Sequence, residues 1–296
     1  MTALPPGAYT ALVTPFTPDG SSIDWAAFEN LVASQIEGHI AGVVPCGTTG
    51  ESATLSEAEQ RDLIRRTVEL ARGRTKVVAG TGSNNTKKSI EASRAAVEAG
   101  VDGVMLVNPY YTKPSQEGLY QHFVSIARSV PCPVMLYNIP GRCSVELAVP
   151  TLLRILDACP NVVALKDASG GVSYCQDLLQ QAYGRIRVFS GDDPLTVPMM
   201  SVGAEGVISV TSNLYPAQVS DLVSEMLAQR WQEAQRKDRR LLPIHRALFS
   251  EPSPQPIKAA LSLKGRMNAA VRLPLVVASD ACKERLSAVM SAFEAA

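Results

Sequence analysis

The chain has 296 residues, and Lys plus Arg and Asp plus Glu both total 28, so it is formally neutral. No basic stripe runs along it, which argues against a nucleic-acid partner, and no run reaches the roughly 20 apolar residues of a membrane-spanning helix. The N-terminal run Met1-Thr2-Ala3-Leu4-Pro5-Pro6 lacks a charged leader before an apolar core, and the scattered cysteines and histidines form no ligand cluster, so we expect a cytoplasmic protein without structural zinc or disulfides.

Short β-branched apolar runs recur along the chain, each followed by a helix-patterned segment, which is the signature of βα units and a parallel sheet. The strand candidates, in order, are Tyr9 to Thr14, Gly42 to Cys46, Lys76 to Gly80, Gly103 to Val107, Val134 to Tyr137, Val162 to Lys166, Arg187 to Ser190 and Gly206 to Val210. Each is nearly all apolar, as strands buried on both faces are. Asp24 ahead of Trp25, and Ser56 with Glu59 three residues on, are helix starts; Gly38, Gly73 and Gly100 are stops. Eight units in about 225 residues fit an α/β (β/α)8 TIM barrel better than an open doubly wound sheet. After Ser212 the pattern is helical over Pro216 to Gln229, Trp231 to Phe249, Pro256 to Leu263 and Ser279 to Glu294, broken by Pro252, Pro254 and Pro256. We therefore expect a barrel over residues 1–229 and a C-terminal helical region, 230–296, packed on it.

Functional groups of a parallel barrel gather at the carboxyl ends of its strands. Lys166 ends the sixth run, and a lysine held against apolar walls loses hydration of its charged form and becomes a nucleophilic amine. The second run ends in Gly47-Thr48-Thr49-Gly50-Glu51, whose glycines and hydroxyls suit a small carboxylate. Asn108-Pro109-Tyr110-Tyr111 and Tyr137-Asn138-Ile139-Pro140-Gly141-Arg142 end the fourth and fifth, offering phenols for proton relay and a guanidinium for a second carboxylate. Plainer readings stand beside these: a solvated lysine, an ordinary glycine turn, packed tyrosines and a surface ion pair. In Ser190-Gly191-Asp192-Asp193, Asp193 precedes Pro194 and reads as a helix cap rather than a metal ligand. Gly80-Thr81-Gly82-Ser83-Asn84-Asn85 lacks the last glycine of a dinucleotide fingerprint, so we expect no metal and no nucleotide.

Together, Gly47-Thr48-Thr49-Gly50-Glu51, Asn108-Pro109-Tyr110-Tyr111, Tyr137 to Arg142, Leu165-Lys166-Asp167 and Gly206 to Val210 resemble the dihydrodipicolinate synthase family nearly end to end. The resemblance implies a class I aldolase-like barrel in which a lysine-bound pyruvate imine, as its enamine, adds to L-aspartate 4-semialdehyde. That gives 4-hydroxy-tetrahydrodipicolinate, the first committed step of diaminopimelate and lysine biosynthesis. It makes Lys166 the imine lysine and Tyr137 the proton donor and acceptor. Thr48 and Tyr111 complete a hydroxyl relay, Tyr111 reaching in from a neighbouring subunit. Thr49, Gly191 and the backbone at Ile208 are the pyruvate contacts, and Arg142 binds the semialdehyde carboxylate. It further implies a homo-oligomer, a tetramer built as a dimer of tight dimers.

N-acetylneuraminate and sugar-acid lyases share the lysine and tyrosine, but Thr48 and Arg142 stand on the synthase side. A non-catalytic binding barrel or a structural oligomer leaves the polar strand ends unexplained. The family's lysine-feedback pocket maps to Ser52, Ala53, Glu57, Gln60, Asn84, Lys88 and Tyr110. Lys88 replaces the glutamate that would meet the effector's ammonium group, so we expect weak or absent lysine inhibition. Ser253 stands where the family has asparagine, a change to which the sequence alone assigns no effect.

Overall fold

A computed structural model describes residues 4–295; Met1-Thr2-Ala3 of the N-terminal run and Ala296 of the C-terminal region lie outside the described residues. Its strands are β1 Gly7–Ala11, β2 Gly42–Val44, β3 Lys76–Gly80, β4 Gly103–Val107, β5 Val134–Asn138, β6 Val162–Asp167, β7 Arg187–Ser190 and β8 Gly206–Ser209. They pair in parallel, each with its sequence neighbour, and β8 returns to β1 to close the barrel. Closure brings two backbones together at Gly7 and Gly206: a Cβ on Gly206 would lie 1.9 Å from the Gly7 carbonyl oxygen, so the seam needs glycine there.

The outer ring is α1 Trp25–Glu37, α2 Glu57–Ala71, α3 Thr86–Glu98, α4 Gln116–Ala127, α5 Pro140–Cys143, α6 Val149–Ala158, α7 Ser173–Ala182, α8 Thr196–Ser201 and α9 Pro216–Leu227. Its start signals work as the sequence indicates. Asp24 accepts from the Ala27 amide at 3.0 Å, and Ser56 and Glu59 exchange both bonds of a capping box. Gly38 caps α1, whereas α2 ends on Arg72 in the left-handed region, with Gly73 one residue beyond.

Strand parity separates two cores. Tyr9, Ala11, Val44, Val78, Met105, Met135, Tyr137, Ala164, Phe189 and Ile208 fill the barrel's interior, while the alternate residues pack outward under the helices. Five strand carboxyl ends differ from the sequence expectation: β2 stops at Val44 and β5 runs on to Asn138, and at β1 and β8 side chains take over backbone groups. β1 stops at Ala11, after which the Val13 amide donates to Asn213 and the Thr14 hydroxyl to the Gly50 carbonyl. β8 stops at Ser209 because the Val210 amide donates to Asp193. β6 runs one residue further, into the buried Asp167.

Beyond α9 come α10 Trp231–Ala247, α11 Gln255–Leu263 and α12 Asp280–Ala295. Helix α10 packs on α9 and α12, and α11 lies against the 3-10 turn Thr211–Asn213 that follows β8. Every residue of α11 from Gln255 to Leu261 is buried, so this helix is seated deep at the carboxyl end of the barrel. No described helix is long and apolar enough to cross a membrane.

Candidate active site

Register and parity place the central pair. β5 and β6 align Tyr137 with Lys166, and both residues fall on the inward face, where they are 4 % and 5 % exposed. The Lys166 Nζ sits 4.0 Å from the centroid of the Tyr137 ring. Burial is the main cause that lowers the Lys166 pKa from 10.5 to about 7; Asp193 opposes the shift and the positive Arg142 adds to it. Much of this lysine is therefore a free amine at neutral pH. Burial also pushes the Tyr137 phenol well above its ordinary value, with Arg142 and then the neighbouring Thr48 hydroxyl partly offsetting the rise. The phenol thus stays protonated and poised to donate.

Gly191 lets the β7 end pass the lysine. A Cβ there would meet the Lys166 Cε at 3.1 Å and the Ala168 Cβ at 2.7 Å, while its amide donates to the Asp167 carbonyl at 2.6 Å. Thr48 and Thr49 lie in a tight turn closed by bonds from Gly50 and Ser52 to the Gly47 carbonyl and from Glu51 to that of Thr48. Thr49 is buried and Thr48 half-buried. Ile208, 1 % exposed, completes the inner wall from β8.

Arg142 lies on α5, exposed at the mouth, and its Nη2 donates to the Ser253 carbonyl at 3.3 Å. Position 253 thus touches the site through its backbone, a contact that a change of side chain leaves available. Tyr111 is not gathered in with the others. It is 89 % exposed, and its backbone holds φ 72, the left-handed region that a bulky residue rarely adopts.

The sequence-expected role of Asp193 is corrected. It does not cap its own helix: its carboxylate accepts from the Ser209 hydroxyl and from the amides of Val210 at 2.9 Å and Thr211 at 3.1 Å, clamping the end of β8. Behind that clamp, Thr211 Oγ1 and His245 Nδ1 of α10 share a 2.7 Å hydrogen bond.

Among the feedback-pocket positions, Lys88 Nζ stands 3.9 Å from Glu57 Oε1, both side chains largely in solvent. The Gln60 amide donates to the Ser52 and Leu55 carbonyls. Ala53, Asn84 and Tyr110 are exposed and Ser52 half-buried.

Sequence reasoning missed one polar element at the site, the buried pair between Glu51 and Lys258, which join at 2.5 Å with both side chains 0 % exposed. The signal was a lone cation in the apolar run Ile257-Lys258-Ala259-Ala260-Leu261, a sign of a paired interior charge.

Taken together, a free amine, a protonated phenol, a hydroxyl-bearing turn and an entrance guanidinium can condense a small keto acid with a second carbonyl compound through an imine. The profile of the Dihydrodipicolinate synthetase family matches residues 5–293. The 4-hydroxy-tetrahydrodipicolinate synthase of Sorangium cellulosum (strain So ce56) is 56 % identical over 289 residues, covering 98 % of this chain and 96 % of that protein. The structure of the 4-hydroxy-tetrahydrodipicolinate synthase from Methylacidiphilum fumariolicum SolV is similar with a TM-score of 0.96 at 45 % identity, covering 98 % of this chain and 96 % of that one. The chloride-inhibited dihydrodipicolinate synthase from Acinetobacter baumannii, complexed with pyruvate, gives a TM-score of 0.95 at 38 % identity, over 98 % of this chain and 99 % of that one.

Proposed function

Since the chain belongs to the dihydrodipicolinate synthetase family, we propose that it performs the family's reaction through Lys166, condensing pyruvate with L-aspartate 4-semialdehyde. The activity is that of a 4-hydroxy-tetrahydrodipicolinate synthase, a lyase acting at the first step of diaminopimelate and lysine biosynthesis.

The neutral Lys166 amine attacks the pyruvate keto carbon. The carbinolamine's hydroxyl departs as water with a proton from Tyr137, leaving an iminium whose positive nitrogen withdraws electrons from the adjacent methyl. Loss of a methyl proton into the relay gives the enamine. Its nucleophilic carbon forms the new bond to the semialdehyde carbonyl, whose oxygen takes up a proton. The semialdehyde's own amine then attacks the imine carbon, closing the ring and releasing Lys166. The covalent imine is the electron sink, and no metal or nucleotide enters the scheme.

Thr49, Gly191 and the Ile208 backbone line the pyruvate side, and Arg142 faces the incoming carboxylate. Thr48 passes protons from Tyr137 onward, and Tyr111 of a second copy completes that chain. The observation that carries this reading is the buried Lys166 amine over the Tyr137 ring, with its pKa near neutrality. Borohydride reduction in the presence of pyruvate, followed by peptide mass spectrometry, tests it. A carboxyethyl adduct on Lys166 is expected, together with loss of synthase activity in Lys166→Ala; an adduct on another lysine would sink the assignment.

A further inference from the structure

The Glu51–Lys258 pair joins the turn that carries Thr48 and Thr49 to helix α11, across 207 residues of sequence. Glu51 also accepts the Arg272 amide at 3.0 Å through its second oxygen. The Arg272 guanidinium in turn reaches the Gly20, Ser21 and Thr54 carbonyls and both oxygens of Glu59. Both cations lie over one ring, with Lys258 Nζ 4.2 Å and the Arg272 guanidinium 4.3 Å from the centroid of Phe16. A strap from the C-terminal region is thereby fastened to the second strand's loop.

Stability alone does not account for this arrangement. Two fully buried charges give up hydration that their attraction only partly returns, and apolar groups of similar volume stabilise such a site as well or better. What an ion pair supplies, and an apolar contact does not, is direction. Glu51 is also a non-glycine residue at φ 56, a conformation that persists only where its surroundings fix it. Its amide closes the turn on the Thr48 carbonyl at 3.1 Å, and the next residue back, Gly50, is held from the segment after β1 by the Thr14 hydroxyl at 2.7 Å. A shift of the Glu51 side chain is therefore transmitted to Thr48 and Thr49 through one hydrogen bond and two peptide units.

We propose that Glu51, pinned by Lys258 and the Arg272 amide, is the positioning residue of the turn that seats pyruvate at Thr49 and carries the relay hydroxyl of Thr48, so that the C-terminal helices form part of the site. The inference rests on the reading of Thr49 as a pyruvate contact and of Thr48 as the relay hydroxyl. Glu51 touches no reacting atom; it acts through the turn. The loss of this pair should therefore weaken pyruvate capture and leave the semialdehyde side, held by Arg142, in place.

The test uses two variants of the full chain. Glu51→Gln with Lys258→Met replaces the pair by neutral groups of similar volume; Glu51→Asp keeps the charge and shortens the tether by one methylene. Thermal melting by circular dichroism establishes that each is folded at the assay temperature. Steady-state kinetics gives KM for both substrates, and borohydride trapping gives the pyruvate concentration for half-maximal imine.

In both variants the pyruvate values should rise about tenfold or more, the loss expected when a hydrogen bond to a charged ligand slips. The semialdehyde KM should stay within about twofold, as for an independent site. Wild-type pyruvate saturation in a folded double variant makes the pair a stability feature and overturns the proposal. Should the double variant not fold, Glu51→Asp decides by the same readout. Thr49→Val, measured alongside, separates the two levels. Unchanged pyruvate saturation there removes the seat itself, whereas a raised value there with wild-type values in the Glu51 variants removes only the positioning role.

Discussion

Lys166 is the residue whose chemistry depends most on its surroundings, and pH reports on them directly. Only the neutral amine attacks, and its pKa is lowered from 10.5 to about 7 by burial first of all. The amine is then about nine-tenths free at pH 8 and about one-tenth free at pH 6, so kcat/KM for pyruvate should fall about tenfold between those values, with a bend near neutrality. A solvated lysine would instead give activity that climbs steadily through pH 9, and a profile of that shape would refute the buried amine. The same shift bears on stability with a definite sign. Between about 7 and 10.5 the unfolded chain binds a proton that the folded chain does not, so this site's cost to folding is full below pH 7 and shrinks as pH rises through that window. Lys166 and Tyr137 were legible in the sequence because each ends an apolar run whose parity points it inward. Asp193 was misread because Asp-Pro is a local capping signal, while its actual partners, Ser209, Val210 and Thr211, lie on the next strand and its turn. Local pattern names which residues sit at a strand end, and tertiary geometry decides what their side chains hold.

At the scale of elements, the positions expected to form the feedback pocket come from the turn before α2, from α2, from the loop before α3 and its first turn, and from the loop after β4, and their charges argue against a tight lysine effector. Lys88 meets Glu57 at 3.9 Å with side chains 66 % and 74 % exposed, a solvated pair that only weakly cancels the cation. The Gln60 amide is already engaged with backbone carbonyls at the start of α2. An incoming ammonium group would thus meet a positive charge where attraction is needed, and L-lysine should inhibit only above about a millimolar, that is, with less than about 4 kcal/mol of binding. Titration of purified enzyme checks this, with Lys88→Glu expected to strengthen inhibition; sub-millimolar inhibition of the unmodified chain would show that the cation is bypassed. The eight βα units themselves could be read from apolar runs and helix starts, since buried parallel strands and capping boxes are local patterns. The strand ends could not be read to the residue. Thr14, Asp193 and Asn213 compete for backbone groups there, and those partners are set by the closed barrel rather than by neighbours in sequence.

For the whole molecule, the deciding question is whether one copy holds a complete site. Lys166, Tyr137 and the Thr48 turn converge within a single barrel, but Tyr111 stands 89 % exposed on a strained backbone. Strain of that kind persists where surroundings hold it, and here one chain leaves the side chain in solvent, which is the arrangement expected if a second copy receives it. No single sequence displays such a contact, because the partner surface belongs to another molecule. Mixing two defective variants makes the idea measurable. Lys166→Ala removes the amine from its own barrel but still offers Tyr111, and Tyr111→Phe keeps the amine but offers no phenol hydroxyl. If the tyrosine serves the neighbouring barrel, each mixed dimer contains one site with both groups intact and one with neither. Unfolding and refolding the two variants together in equal amounts should then restore about a quarter of wild-type activity, since half the dimers are mixed and half their sites complete. If Tyr111 serves its own barrel, every site in every dimer lacks one group, and the mixture should be no more active than the average of the separate variants. Size-exclusion chromatography of the refolded mixture confirms that association occurred, so an inactive but assembled mixture would place the relay within one chain.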